Sequence, residues 1–253
     1  RRARSGEGVR DFEATMREVL LEARFSRGSR QASILRERLR VSLERMPGLL
    51  ETEAGREAAV DFIHAAASML RWGGRQYVES YVTQVEEIYR SDRGDTGRDL
   101  TRKAILPLSE SLLVRDLGYI CAVVMGLDHR RRIRRRLGVR TGRGDILDVV
   151  YLLRADLVGF GRRMRVLIPA RTWLLRVISQ IGRRLPERIR GTRIARLRKE
   201  IVRDSIRSAI SESGDPAKYR YWCSYFDRLR NRVIEGKFHG LSQEEIKPSS
   251  TSK

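Results

Sequence analysis

The stretch RQYVESYVTQVEEIYR, residues 75–90, carries the clearest helical pattern in the chain. Its apolar side chains recur at steps of three and four residues, which is the period of an amphipathic α-helix. They share one wide face, and they are Tyr77, Val78, Tyr81, Val82, Val85, Ile88 and Tyr89. Glu79, Glu86 and Glu87 fall on the opposite face. The segment therefore predicts a helix that packs one side against a core and exposes the other.

The same period recurs on the N-terminal side of this stretch. Apolar steps over 9–23 and 34–50 predict two helices that Gly28 separates. A third helix over 54–70 is predicted to end at Gly73 and Gly74, because glycines that follow an apolar stripe are typical of helix ends. Residues 1–74 are therefore expected to form a segment of three helices.

The most apolar stretch lies on the C-terminal side, over 99–126. It predicts a long helix at the centre of the core, capped by Asp99 and either kinked or restarted at Pro107. Asp116 is the one charged group within its apolar part, and it would need a partner if buried. The next apolar run, over 145–160, fits either a helix or a short strand near 146–153.

The remaining pattern is again helical. Apolar stripes predict helices over 173–181 and 189–210, and the sequence Gly214, Asp215, Pro216 predicts the start of a last helix. The chain is thus predicted to be mainly α, a bundle of roughly eight to nine helices. The predicted organisation is an N-terminal helical segment over 1–74, a central helical core over 75–213, a C-terminal helix over 214–247 and a disordered tail over 248–253.

The composition is strongly basic, with a formal charge of +21 and a pI near 11.1. Such a charge favours a polyanionic partner, such as nucleic acid, an anionic membrane surface or an acidic protein. Solvated helix faces that pair arginine with the 32 acidic residues explain it equally well. Arginine outnumbers lysine 47 to 6, and asparagine occurs once. This balance is typical of a thermophile, although codon bias produces it too.

Several features bear on where the protein works. No apolar run is long enough to cross a membrane and no secretory signal is present, so a soluble, cytoplasmic protein is expected. Cys121 and Cys223 lack the spacing of a metal site and are expected to be buried thiols, while a disulfide between them stays open. Because the chain begins with Arg1, it is also interpreted as a fragment or domain of a longer protein.

No catalytic motif is present. The sequence lacks G-x-G-x-x-G, G-x-x-x-x-G-K-[ST], H-E-x-x-H and G-x-S-x-G. The only histidines, His64, His129 and His239, are too dispersed to indicate a ligand cluster. No catalytic residue, cofactor site or metal site is therefore predicted in this chain, and whether it belongs to an enzyme stays open.

Arginines supply the predicted binding site. The run HRRRIRRR, residues 129–136, spaces several guanidinium groups one helical turn apart, so that they can meet phosphates or carboxylates together. Ile133 and Leu137, four residues apart, favour instead an ordinary surface helix that packs one side inward and solvates its arginines. Further arginines are interleaved with aromatic residues near Trp173 and Tyr219, a pattern that RNA binders use and that core aromatics also produce. The candidate residues are Arg130, Arg131, Arg132, Arg134, Arg135, Arg136, Arg162, Arg163 and Arg165.

The order of features over about 76–200 resembles a known family. RQYVESYVTQVEEIYRSDRG is followed by DLTRKAILPLSESLLVRDLGYICAVV, then by RRRIRRRLGV and RGDILDVVYLLR. This order is similar to the helical C-terminal extension of some beta subunits of indolepyruvate:ferredoxin oxidoreductase. The matching positions are Tyr77, Tyr81, Leu100 to Arg102, Asp116, Arg130 to Arg136, Gly144 and Asp145. The family's glycine-rich domain, thiamine diphosphate motif and cysteine clusters are missing here.

The resemblance implies a non-catalytic helical domain that helps to assemble a 2-oxoacid:ferredoxin oxidoreductase. Thiamine diphosphate and iron–sulfur clusters would then lie in partner domains, and an acidic ferredoxin would meet the basic surface. A free-standing RNA- or DNA-binding protein is the alternative interpretation. A basic helical scaffold on anionic membranes is the third.

Overall fold

The computed structural model describes residues 12–113, 115–139, 150–159, 162–184 and 193–248. Within these ranges the chain is mainly α-helical, as predicted, with twelve α-helices and one antiparallel pair of strands. The helices outnumber the prediction, since two of them are single short turns that no apolar stripe marks. The elements are α1 (Phe12–Arg27), α2 (Ser29–Glu44), α3 (Gly48–Glu51), α4 (Glu53–Gly73), α5 (Arg75–Ser91), α6 (Asp99–Leu112), α7 (Leu117–Val124), α8 (Leu127–Leu137), β1 (Tyr151–Gly159), β2 (Arg162–Ala170), α9 (Thr172–Arg184), α10 (Arg193–Ser211), α11 (Pro216–Ile234) and α12 (Gln243–Ile246).

Contacts divide the chain into two compact units. The first unit contains α1 to α6 and α10 to α12, and the second contains α7, α8, the two strands and α9. The boundaries drawn from the sequence follow helix ends along the chain, whereas these units follow contacts in space. The segment predicted as a central core over 75–213 contributes helices to both units.

Glycine ends the first and fourth helices where the sequence places them. Gly28, between α1 and α2, has φ 87°, and Gly74, between α4 and α5, has φ 77°. Side chains with a Cβ rarely adopt this region, so a glycine lets the chain turn there without strain. The predicted helix boundaries at both positions are confirmed.

The core of the first unit forms around α6. This helix contacts α4, α5, α10 and α11, and its residues Ala104, Ile105 and Leu108 are each 1% exposed. On neighbouring helices, the rings of Phe62 and Tyr81 stack with centroids 5.7 Å apart. Burying such large aromatic side chains supplies much of the hydrophobic stabilisation of a domain.

The C-terminal part begins as predicted and continues further. Asp215 caps α11 by accepting hydrogen bonds from the backbone N–H groups of Ala217 and Lys218, and Pro216 occupies the first turn. After α11 the chain forms a 3₁₀ turn over Phe238–Gly240 and then α12. Phe238, at 1% exposure, anchors this return to the unit. Residues 249–253 of the predicted tail lie outside the described residues.

The apolar stretch over 99–126 is not the single long helix that the sequence predicts. Helix α6 runs through Pro107 without ending, and the break comes instead between Leu112 and Leu117. Asp116 caps α7, since its carboxylate accepts a hydrogen bond of 2.8 Å from the N–H of Tyr119. Leu117 and Ile120 are each 49% exposed. The expectation of one long helix at the centre of the core is therefore wrong beyond Leu113, where α7 buries only one side, with Cys121 and Ala122.

The second unit includes an antiparallel hairpin. Strands β1 and β2 pair from Tyr151 opposite Ala170 to Gly159 opposite Arg162. The strand alternative for this region is thus confirmed from Tyr151 onward, while 140–149 lie outside the described residues. Helix α9 follows the hairpin and packs Leu175 into a small core with Cys121 and Ala170.

Candidate functional site

Helix α8 carries most of the predicted arginine site. It begins after Gly126 and ends at Gly138, which adopts φ 66°. The N–H groups of Gly138 and Val139 donate to the carbonyl oxygens of Arg135 and Arg134, at 3.3 and 3.0 Å. These bonds satisfy carbonyls that a helix end otherwise leaves open. The arginine run is therefore held in a helix with a defined end.

Five arginines of α8 are exposed, and they are Arg131, Arg132, Arg134, Arg135 and Arg136. Their guanidinium groups make no hydrogen bond or ion pair with any side chain that the structure describes. At 100° per residue, the five positions span an arc of about 200° around the helix axis. Ile133, which is partly buried, lies outside this arc. The helix thus presents a broad band of guanidinium groups on its surface.

Arginines elsewhere in the chain are often neutralised. On α2, Arg40 pairs with both Glu37 and Glu44 at 2.6 Å, and Arg207 on α10 pairs with Asp204 at 3.5 Å. Acidic residues on the same helix faces thus neutralise part of the basic charge, as one of the two interpretations of the composition expects. The arginines of α8 are different, because their guanidinium groups form no ion pair with any acidic side chain that the structure describes.

His129 opens the same helix but adds little charge. Its ring lies 6.0 Å from that of Tyr151 in β1. Burial and the charge of Arg132 lower the pKa of His129 below its ordinary value of 6.5. Histidine at this position is therefore neutral near pH 7, and the positive charge of α8 comes from its arginines.

The other predicted site residues are placed by their backbone only. Arg130 lies within α8. Arg162, Arg163 and Arg165 lie in strand β2 of the same unit, with Arg163 opposite Val158 and Arg165 opposite Asp156. These three arginines are therefore part of a hairpin, whose second strand is not expected from the sequence.

Helix α9 has an exposed apolar face. Trp173, Val177 and Ile181 are 65%, 42% and 55% exposed, respectively. The helix is apolar on a wide arc, and Leu175 is the side chain that it buries in the small core with α7. The predicted stripe is present, but half of it faces outward. The sequence period cannot tell the inward half of the stripe from the outward half, because that depends on how α9 packs.

Two further predictions are decided by burial. Tyr219 and Trp222 are 5% exposed each, so these two aromatic residues of α11 belong to the core and do not offer stacking surfaces. Glu86, predicted on a polar face, is only 4% exposed. It forms a salt bridge of 2.7 Å with Arg38 of α2. The face of α5 that the pattern marks as solvated is therefore partly an interhelical contact.

A buried carboxylate joins three helices of the first unit. Asp92 accepts hydrogen bonds of 2.7 Å from the backbone N–H and the hydroxyl of Thr101. It also accepts one of 2.7 Å from the hydroxyl of Tyr219. Burial and the neighbouring carboxylate raise the pKa of Tyr219. Every polar atom of this cluster is engaged within the fold, which is typical of a structural network and not of a general base.

A second buried cluster fixes the C-terminal return. Arg198 donates to the carbonyl oxygens of His239 and Leu241, at 2.9 and 3.4 Å. The Nε2 atom of His239 lies 2.6 Å from a carboxylate oxygen of Glu110. Burial lowers the pKa of Arg198. The cluster connects α6, α10 and the turn at Phe238–Gly240, so its geometry also fits a structural role.

Chemistry that needs a metal or a reactive thiol has no support in the described ranges. No group of three or more potential metal ligands occurs among these residues. Cys121 and Cys223 are buried free thiols, as predicted, and burial raises the pKa of both, that of Cys223 to about 11. Thiolates are the reactive form, so both side chains are inert near neutral pH.

Of the helices that the structure describes, none combines the length and the apolar composition needed to span a bilayer. Comparisons with protein-family models, with curated proteins and with solved structures find no match to this chain. Its function is therefore argued from the geometry of its own residues.

Proposed function

We propose that this chain binds nucleic acid through the exposed arginines of α8. The observation that carries the proposal is the set of five exposed guanidinium groups without an ion pair to any side chain that the structure describes. Arg131 and Arg135, and likewise Arg132 and Arg136, lie one helical turn apart. Guanidinium groups recognise phosphate oxygens through two parallel hydrogen bonds, and neighbouring groups on one helix can contact successive phosphates.

A phosphate backbone fits α8 better than a membrane surface does. A helix that lies on a membrane carries large apolar side chains opposite its basic face. Apart from Leu127 and the 62% exposed Leu137 at its two ends, α8 has one apolar residue, the partly buried Ile133, so it lacks an apolar face of that kind. Phosphate contacts position a protein on a nucleic acid without reading its sequence, so we expect weak sequence preference.

The test is the salt dependence of binding to labelled RNA and DNA oligonucleotides, measured by fluorescence anisotropy. Replacing Arg131, Arg132 and Arg135 by Gln removes up to three phosphate contacts. Each lost contact is expected to reduce the slope of log affinity against log salt by about 0.7–0.9. At 0.1 M salt, the variant is therefore expected to bind roughly a hundredfold more weakly. Circular dichroism should show unchanged helicity.

A matched control removes the same charge from paired positions. Arg40, Arg207 and Arg232 each have an acidic partner in the structure, and their replacement by Gln is expected to change affinity by less than about threefold. Equal losses in both variants would mean that net charge alone drives binding. Either that result, or binding to anionic vesicles without binding to nucleic acid, contradicts the proposal.

The affinity is also expected to be the same from about pH 6.5 to pH 8. Arginine stays protonated over this range, and burial, with the charge of Arg132, lowers the pKa of His129, so its charged form is disfavoured. A rise in affinity as the pH falls from 8 to 6.5 would place a titrating group in the interface.

A second candidate function is docking on a catalytic subunit of a 2-oxoacid:ferredoxin oxidoreductase. The family resemblance supplies the partner, and the exposed Trp173, Val177 and Ile181 of α9 supply an apolar face. Core positions of protein interfaces are rich in such side chains, with tryptophan most enriched.

Co-expression with a thiamine diphosphate-dependent subunit tests this candidate. We expect the two chains to co-purify, and Trp173→Ser with Val177→Ser to abolish the complex. The control, Ile234→Ser, removes a side chain of 47% exposure from the other unit and should leave the complex intact. Failure to co-purify, or equal loss with the control, rejects docking through α9 without affecting the nucleic-acid proposal.

A further inference from the structure

A long surface groove runs between α1 and α2 of the first unit. Its volume is about 1180 Å³. Met16, Leu20 and Leu43 lie along its floor, and Leu21 and Leu50 line it with 59% and 37% of their surfaces exposed. The groove exists because α1 turns its other face, with Val19 and Ala23, into the core. Exposed leucines in one concave surface are typical of a binding site.

Arginines surround this apolar floor. Arg17, Arg24, Arg36 and Arg40 line the groove together with one acidic residue, Glu44, which gives its walls a net charge of +3. Glu44 is already engaged by Arg40 at 2.6 Å. Arg24 and Arg36 form no ion pair within the part of the chain that the structure describes. The walls therefore keep positive charge available for an incoming anionic group.

The size of the groove and the charge of its walls together indicate what kind of molecule binds there. The volume exceeds the roughly 300–1,000 Å³ of ordinary small-molecule sites. The lining of α2 extends from Ser29 to Glu44, a length of about 22 Å, which matches about fifteen residues of a second helix. An apolar floor between basic walls complements a helix with one apolar face and acidic flanks.

This chain itself does not supply such a helix. Its segments outside the described residues carry no net negative charge: residues 1–11 have four arginines against two acidic groups, and 140–149 have two of each. A second copy, at +21, would bring arginine against arginine. None of these segments, nor a second copy, therefore complements the basic walls, whereas an acidic partner does.

We propose that the groove between α1 and α2 binds an acidic amphipathic helix of a partner protein. Apolar side chains of that helix pack on Met16, Leu20 and Leu43, and its carboxylates meet Arg24 and Arg36. The groove lies in the first unit and α8 in the second, so this interaction is independent of the nucleic-acid proposal.

The probe is a labelled synthetic peptide of about sixteen residues, with leucines along one helical face and glutamates on the other. Two control peptides separate the contributions, one with lysine in place of glutamate and one with serine in place of leucine. Binding to the full chain is measured by fluorescence anisotropy. We expect the acidic amphipathic peptide to bind at least about tenfold more tightly than either control.

Variants of the chain locate the binding. Leu21→Ser with Leu50→Ser is expected to weaken binding by about tenfold or more, because each side chain loses its apolar contact. Both leucines are exposed, so the fold should be retained. Arg24→Glu with Arg36→Glu should also weaken binding of the acidic peptide and strengthen that of the lysine peptide.

Matched controls lie outside the groove in the same unit. Ile194→Ser with Ile234→Ser removes side chains that are 62% and 47% exposed, and Arg196→Glu with Arg203→Glu reverses two exposed charges of α10. Both pairs should leave peptide affinity within about twofold. The α8 glutamine variant should bind the peptide normally, which separates this proposal from the preceding one.

Four results would overturn the proposal. They are failure of the acidic amphipathic peptide to bind, equal binding of the serine peptide, equal losses in groove and control variants, and a concentration-dependent dimer that Leu21→Ser with Leu50→Ser converts to monomer. The last result would assign the groove to a second copy of the chain.

Discussion

Replacing Glu86 by alanine is expected to lower the free energy of unfolding by about 3 kcal/mol. The side chain of Glu86 is only 5% exposed, and its oxygen Oε1 lies 2.7 Å from Nη1 of Arg38. Arg45 and Arg90 approach Oε2 at 3.4 and 3.6 Å. Removing the carboxylate leaves Arg38 without its closest partner between α2 and α5, while Arg45 and Arg90, with 57% and 67% of their side chains exposed, stay solvated.

The expected loss lies at the low end for a broken buried ion pair, which is about 3–5 kcal/mol. Arg38 keeps a second partner, Glu79, at 2.9 Å from its Nε atom, and its own side chain is 17% exposed. Residual solvation and this remaining pair both reduce the cost of the uncompensated charge. Urea denaturation followed by circular dichroism measures the difference.

The stabilising effect of Glu86 depends on pH with a definite sign. Burial alone would raise the pKa of Glu86, but hydrogen bonds from Arg38 and Ser42, with the charges of Arg38 and Arg45, outweigh burial and lower it. A carboxyl whose pKa is lower in the folded state stabilises the fold fully above its unfolded pKa of about 4.3. The difference between wild type and variant should therefore be constant from about pH 6 to 8. It should shrink as the pH falls below about 4.

Two controls make the result specific. Glu87→Ala removes the adjacent, exposed carboxylate and is expected to change stability by less than about 0.5 kcal/mol. The double variant Arg38→Met with Glu86→Leu replaces the ion pair by apolar groups and should be more stable than Glu86→Ala alone. If Glu86→Ala and Glu87→Ala have equal effects, Glu86 does not hold α2 on α5.

The burial of Glu86 also shows where sequence reasoning reaches its limit. On α5, the period correctly assigns Val78, Val82 and Val85 to the core. The same period cannot show that α2 brings Arg38 against the edge of this apolar face. A charged residue beside an apolar stripe is solvated or paired depending on the neighbouring helix, which is a tertiary property.

Helix boundaries were more predictable, since their causes are local. Gly28, Gly74 and the pair Asp215 and Pro216 act through the conformations and caps available to those residues alone. The break between α6 and α7 escaped prediction because apolar residues continue through it on both sides. Asp116 was recognised there as a charge in need of a partner, but not as the cap of a new helix.

The features of the candidate site can likewise be divided into those that the sequence predicts and those that depend on tertiary packing. A charged surface on α8 was predictable, because a run of like charges cannot be buried without partners, whereas which of its arginines are exposed was not. The outward direction of Trp173 and the concave surface between α1 and α2 were not, because both depend on which face of a helix packs inward. Arg162, Arg163 and Arg165 were assigned to the site without their strand, since the second half of the hairpin has no clear alternation.

Replacing Asp92 by alanine is expected to cost about 3 kcal/mol in the free energy of unfolding. Asp92 is 5% exposed, and its two oxygens accept four hydrogen bonds: two from Thr101, one from Tyr219 and one from the N–H of Arg93. The N–H of Thr101 belongs to the first turn of α6, where backbone donors have no partner within the helix. Asp92 thus caps α6 from the end of α5 and fixes α11 through Tyr219.

The loss in the free energy of unfolding should be smaller than the summed contributions of the four hydrogen bonds. The hydroxyl of Tyr219 retains Thr96, whose Oγ1 atom lies 2.7 Å away, and water can enter where the carboxylate is removed. The N–H of Thr101, in contrast, loses its partner in a buried position. Tyr219→Phe, which leaves Thr101 satisfied, is expected to cost only about 1 kcal/mol.

Asp95 provides the matched control, because it lies three residues away and its carboxylate is exposed and paired with Arg93 at 2.9 Å. Asp95→Ala removes the same charge and should change stability by less than about 0.5 kcal/mol. If Asp92→Ala were no worse than Asp95→Ala, the junction of α5, α6 and α11 would not depend on the carboxylate. If Asp92→Ala costs about 3 kcal/mol and Tyr219→Phe about 1 kcal/mol, the capping of α6 is its larger contribution, since the tyrosine accounts for the smaller share.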